Sequence, residues 1–255
     1  MTSWHHAWIR DRSALGAVIV LVGAVTGPAA RAEPVRAVVE LFTSQGCGAC
    51  RSAEPVLRDL SRQPGVIALT LPVTYWDYLG WKDTLASRPL TERQRAYARG
   101  RGGRQVFTPQ AVVDGSGVAV GSDKIALDRL MRDGVQQGGL PIAVHGEARG
   151  DRIRVEIGAA PDARTQGYGE VWLVPVLRRR AIAIQSGENG GRTVTYVNVV
   201  RGLQHLGHWG GQALALDVPG TQAEIAEADS WVVLLQGGAD NRPGRILGAA
   251  KGPGL

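Results

Sequence analysis

Cys47 and Cys50 are the residues of this chain whose type and spacing suit covalent chemistry. They are its only two cysteines, and Gly48-Ala49 alone separates them. Two thiols so placed can close a small disulfide ring and exchange it with an incoming thiol. A structural zinc site would need about four ligands, commonly from a second such pair, and no second pair is present. A purely structural bridge is disfavoured because closing so short a loop removes little entropy from the unfolded chain. Redox exchange is therefore the leading reading, with a stable bridge and a metal-binding pair as the alternatives.

The elements that must hold the pair are readable around it. Val35 to Phe42 (VRAVVELF) has the length and β-branched content of a strand. From Cys47 to Arg62 the apolar positions Val56, Leu57 and Leu60 predict a helix opening at the motif, bent where Pro55 removes a backbone donor. Cys47 then lies at a helix N-terminus, where free N–H groups and the dipole favour thiolate over thiol. Thiols in such places have pKa values of about 3.5–7.5, against about 8.5 for a free cysteine. Cys47 is accordingly the attacking sulfur and Cys50, one turn further in, the resolving one.

Further along, the pattern predicts a strand over Val66 to Val73 and a helical insertion to about Arg101. A hairpin follows, Gln110 to Val113 and Val118 to Val120, turning at Asp114-Gly115-Ser116-Gly117, and then a helix over Asp123 to Gln137. Past Gly138-Gly139 and Pro141 helical periodicity fades. Seven short runs follow, at 142–148, 152–157, 171–177, 193–200, 213–216, 231–235 and 245–249. They suggest an antiparallel sandwich.

The first 32 residues read as a secretory signal: Arg10 and Arg12, an apolar run from Ala14 to Val25, and Ala30-Arg31-Ala32 as the cleavage region. The run is shorter than the roughly 20 residues of a spanning helix, and no later segment is apolar enough to cross a bilayer. A periplasmic or secreted protein without a membrane span in its mature form is expected. The formal charge of +6 is spread along the chain, and the basic run Ala98 to Arg104 carries no stacking aromatics, so nucleic acid is not an expected partner.

Beyond the motif, several stretches together resemble the exported DUF1223 family of thioredoxin-like proteins. They are ELFTSQGCGAC, YWDYLGWKD (Tyr75 to Asp83), RQRAYA (Arg93 to Ala98), FTPQAVVDG (Phe107 to Gly115) and GENGGRTVTYVNVVR (Gly187 to Arg201). The pattern CGAC, a basic residue, and Pro55 five positions after Cys50 is similar to that of thioredoxin itself. The resemblance implies an α/β thioredoxin-like domain with a helical insertion over residues 33–139, followed by an all-β sandwich-like domain over 140–255. It also implies a cis proline at Pro109 facing the cysteines, with the Thr108 backbone free to pair with a substrate strand.

Other roles follow from the same comparison. Thioredoxin carries a buried aspartate six residues before its first cysteine, and Glu40 stands seven before Cys47; pointed inward it would relay a proton, although the offset places it on the opposite strand face. Trp76 would wall the substrate groove and Asp77 would lie near the sulfurs, the alternative being that these aromatics fill a core. Where the family commonly has histidine and aspartate this chain has Pro72 and Thr74, which weakens any metal or acid–base site there. His205 and His208, three apart, would share a helical face, yet the sequence nominates no third ligand; no metal and no cofactor are expected. The resulting expectation is an exported thiol–disulfide oxidoreductase acting on protein or small thiols, with a redox partner. Its alternatives are a non-catalytic binding module and a soft-metal chaperone, the latter disfavoured by the scarcity of methionine.

Overall fold

In the computed structural model, residues 1, 34–161, 168–222, 227–239 and 242–255 are described. The expected signal and its cleavage point lie outside them. Strand β1 (Ala37–Thr43) is buried along its whole length, as a β-branched run flanked by sheet on both sides must be. A short 3-10 turn, Gly48–Ser52, follows and passes directly into helix α1 (Ala53–Leu60). Pro55 explains the division. It occupies the first turn of α1, where no backbone donor is required, whereas a single α-helix from Cys47 would set its ring against a preceding carbonyl.

Strand β2 (Val66–Pro72) runs parallel to β1. Helix α2 (Arg88–Gly100) fills the expected insertion, and β3 (Gln110–Val113) and β4 (Gly117–Val120) form the expected hairpin. That hairpin turns at Asp114 and Gly115, with φ of 48° and 72°, the positive values a two-residue hairpin turn needs. Helix α3 (Lys124–Gln136) is capped by Asp123, whose carboxylate accepts from Ala126 N at 3.0 Å.

The second half supplies β5 (Val144–Arg149), β6 (Arg152–Ile157), β7 (Gly169–Ile184), β8 (Arg192–Val200), β9 (Gln204–Trp209), β10 (Leu214–Pro219), β11 (Ser230–Ala239) and β12 (Arg242–Lys251). One sheet runs β12-β11-β7-β8-β2-β1-β3-β4, with β9 also paired to β7, and a second, three-stranded sheet runs β10-β6-β5. This overturns the expected pairing of an α/β thioredoxin-like domain with a separate all-β sandwich. The described chain is mostly β with three α-helices, and a single mixed sheet passes through both halves.

The reason lies at the edge of β2. Its backbone would otherwise be open, and β8 covers it: Thr70 pairs with Val199, Thr70 Oγ1 donates to Val197 O at 2.6 Å, and Asn198 Nδ2 donates to Ala68 O at 2.9 Å. The three-stranded sheet then packs Ile153, Val155 and Ile157 on Val171, Leu173, Val233 and Leu235 of the large sheet.

Alternation along β1 divides the core of the first half. Ala37, Val39 and Leu41 face α1 and α3 with Ala53, Leu57, Leu60, Leu127 and Met131, while Val38 and Phe42 face α2 with Leu90 and Tyr97. The cysteine motif belongs to the α1 side.

Candidate functional site

Cys47 stands at the head of the 3-10 turn, its carbonyl accepting from Cys50 N at 3.2 Å. The two cysteines form a disulfide, with Cα atoms 5.4 Å apart. Cys47 is 1% and Cys50 2% exposed. Thr108 and Pro109, joined by a cis peptide bond, come to the same place: Thr108 O is 3.8 Å from Cys47 Sγ. Trp76 closes this side. Its Nε1 donates to Thr108 Oγ1 at 2.7 Å, and its backbone lies close enough to Gly46 that a Cβ there would sit 3.3 Å from Trp76 O. Gln94 on α2 steadies the segment from behind, donating to Phe107 O at 2.8 Å and to Gln110 Oε1 at 2.9 Å. Cys47, Cys50, Thr108, Pro109 and Trp76 are thus brought together.

Glu40 is not. Glu40 shares the strand parity of Val38 and Phe42 and so points to the α2 face, away from α1. There its carboxylate accepts from Arg93 Nε at 2.6 Å and from the Tyr97 hydroxyl. Gln236 on β11 completes the group, donating to the Tyr97 oxygen at 2.8 Å and accepting from Arg93 at 3.0 Å. Burial drives the Tyr97 hydroxyl far above the ordinary tyrosine range, so it stays a donor. The RQRAYA stretch therefore serves the packing of α2 on the sheet. Asp77 Oδ1 accepts from Asp83 N at 3.1 Å within its own loop.

The buried carboxyl on the cysteine side is Glu54, which the sequence reading did not single out. It lies four residues after Cys50, in the first turn of α1, and is 4% exposed. Thr43 Oγ1 donates to its Oε1 at 2.9 Å, and its Oε2 has no partner. Burial pushes its pKa up to about 7, against the weaker opposing pull of the Thr43 hydrogen bond and Arg58. The signal was present: Cys50, Ala53, Leu57 and Leu60 form an apolar stripe, and Glu54 falls inside it.

Two further parts were also missed. Gln45 is fully buried; its N–H donates to Asp83 Oδ2 at 2.8 Å, and its Oε1 accepts from Trp81 Nε1 at 2.8 Å. Asp83, its carboxyl pushed up by burial against three backbone donors, thereby ties the insertion to the motif. Opposite, the β7–β8 loop reaches over the cysteines. Glu188 Oε2 accepts from Gly48 N at 2.7 Å, and Asn189 Nδ2 donates to Gln45 O at 2.9 Å and Cys47 O at 3.0 Å. Ser186 Oγ fastens the loop to Gly80 O at 2.7 Å. These contacts hold the loop against the backbone of the motif, in which Cys47 is buried.

The motif stretches that build this site recur in known sequences. The family model described as "Protein of unknown function (DUF1223)" matches residues 38–236. The chain belongs to the DUF1223 family. The match spans β1, the cysteine motif, Trp76, Thr108-Pro109 and the Glu188–Asn189 loop, so the parts converging on the disulfide are all DUF1223 sequence. A crystal structure of an Agrobacterium tumefaciens protein is similar at 32% identity, over 88% of this chain and 96% of that one, with a TM-score of 0.78. HBP35 of Porphyromonas gingivalis, 12% identical over 86% of this chain and 74% of its own, has a TM-score of 0.61 and shares the fold. No curated protein matches the chain.

Proposed function

We propose that this DUF1223 protein is an exported thiol–disulfide oxidoreductase acting through Cys47 and Cys50 on protein or small-thiol substrates. One arrangement carries the reading: a disulfide at the start of a helical segment, with the Thr108 backbone beside Cys47 and a buried carboxyl, Glu54, four residues after Cys50. Export rests on the N-terminal order of arginines, apolar run and small residues. Among the described residues no helix is long and apolar enough to cross a membrane.

The chemistry is two successive exchanges. A substrate thiolate attacks Cys47 Sγ, the Cys47–Cys50 bond breaks, and Cys50 leaves as an anion that takes a proton from Glu54, a general acid held near neutral pH. The substrate's second thiolate then attacks the substrate sulfur of the mixed disulfide, forming the substrate disulfide and releasing Cys47. Two electrons pass from substrate to protein, and the reverse reaction retraces the same steps. Half-exposed Thr108 and Trp76 form the wall along which an extended substrate segment lies. Because Cys47 is buried, attack requires the Glu188–Asn189 loop to lift.

That burial also favours a second reading, a permanent bridge in a binding module. Equilibration of the oxidised protein with glutathione buffers separates the two. A dithiol–disulfide equilibrium between about −270 and −120 mV supports the oxidoreductase, and a bridge stable below about −300 mV supports the module.

A further inference from the structure

His205 and His208 lie on β9, not on a helix. In a regular strand, residues three apart point to opposite faces. Here they do not. His208 is opposite Glu170, Gly207 opposite Val171 and His205 opposite Trp172, so Leu206 is the extra residue of a β-bulge. Gly207, at φ 140°, supplies a conformation that other residues rarely adopt. The bulge returns both imidazoles to the face of Glu170, with ring centres 4.9 Å apart. Bulges of this kind commonly re-aim side chains next to functional sites.

The three side chains converge on one point. One ligand atom from each of Glu170, His205 and His208 lies within 4.8 Å of the others, and among the described residues no other group of three His, Cys, Asp or Glu side chains does so. Glu170 Oε2 is 2.9 Å from His208 Nδ1 and in contact with His205 Nε2. The Tyr168 hydroxyl is 2.9 Å from Glu170 Oε1 and from His208 Nδ1, a further oxygen at the same spot. Trp172 packs on His205 with ring centres 5.2 Å apart, which limits the ring's freedom. Beside Glu170 and His205 opens a groove of about 550 Å³, whose lining includes Trp172, Leu203, Arg93 and Pro243.

We propose that Glu170, His205 and His208 form a binding site for a divalent ion of the zinc class. Two imidazoles and one carboxylate suit zinc, and the lack of sulfur ligands argues against copper(I). Ligand atoms about 2.0–2.2 Å from a tetrahedral ion stand about 3.3 Å apart, a spacing that small rotations of these partly exposed side chains reach. Three protein ligands leave a fourth position, as in zinc sites that hold water or substrate rather than purely structural ones. Glu170 and His205 also line the groove, so an ion held there would be within reach of a small ligand in the groove that carries an oxygen or nitrogen donor. The site shares no residue with the cysteine motif and stands independently of the redox reading.

The test is titration of the full-length protein with zinc ion alone, in competition with a chromophoric chelator. Cys47 and Cys50 are kept oxidised so that no thiolate contributes. The wild type should take up one ion per chain. His205→Ala/His208→Ala should bind at least about 100-fold more weakly, beyond what loss of a supporting partner usually costs, and Glu170→Gln at least about 10-fold more weakly. His145→Ala, on β5 and outside the cluster, should bind as the wild type does. In the unaltered protein, the ring signals of His205 and His208 should shift on zinc addition while those of His145 stay in place, a readout that needs no variant to fold. Absence of one-to-one uptake by the wild type, uptake undiminished in His205→Ala/His208→Ala, or unmoved His205 and His208 signals would each overturn the site.

Discussion

Replacing Glu54 by glutamine removes the charge while keeping an acceptor for Thr43 Oγ1. The carboxyl is 4% exposed and held at about 7 rather than its ordinary 4.5, so the folded state retains its proton over a range where the unfolded chain has lost it. Stability associated with Glu54 is therefore fully present below pH 4.5 and is lost as the pH rises through about 7. At 1.36 kcal/mol per pH unit of separation, the loss is about 3 kcal/mol by pH 8. The glutamine variant lacks this term, whereas Asp114, also raised by burial but not coupled to Glu54, titrates in both proteins and cancels. Denaturant unfolding of the two oxidised proteins from pH 4.5 to 8 measures it. The stability of the wild type minus that of the variant should fall by about 3 kcal/mol across that range. Curves that stay parallel to within about 0.5 kcal/mol would refute the buried, near-neutral carboxyl.

Three further outcomes follow from the same geometry. Glu54→Gln should slow reduction of the bridge by about 100-fold at pH 7, as expected when a general acid is lost, measured by quenched-flow reaction with dithiothreitol. Glu188→Gln and Asn189→Ala, by loosening the loop over Cys47, should each speed that reduction several-fold; unchanged rates in both would mean the loop does not govern access. Arg93→Met should cost about 3–5 kcal/mol by leaving the Glu40 charge buried and unpaired, and Glu40→Gln/Arg93→Met should recover more than half of that in the same unfolding assay.

Much of the site was legible because it is local in the chain. The cysteine spacing, the strand before it, and the Trp76 and Thr108-Pro109 stretches could each be recognised in short windows, and the structure brings them together. Glu40 shows where parity decided the matter: one residue of offset in β1 sends its carboxylate to Arg93 and Tyr97 instead of toward the cysteines. Glu54 was passed over because a carboxylate in an amphipathic helix is ordinarily solvated, and only the packing of α1 on β1 reveals its burial. Asn189 and Glu188 lie some 140 residues beyond Cys47 and Gly48, the residues they touch, a distance over which hydrophobic periodicity carries no pairing information. For the same reason the strands after Pro141 could be located while the sheet they join could not. The helical reading of His205 and His208 failed because a bulge restores them to one face, and periodicity does not anticipate bulges.

The account depends on Cys47 being an attackable sulfur. Cys50→Ala leaves it without its resolving partner, so incubation with oxidised glutathione should give a mixed disulfide on Cys47, read by intact-protein mass spectrometry as one added glutathionyl group that dithiothreitol removes. A Cys47 that stays unmodified in the folded variant and reacts only after denaturation would contradict the assignment.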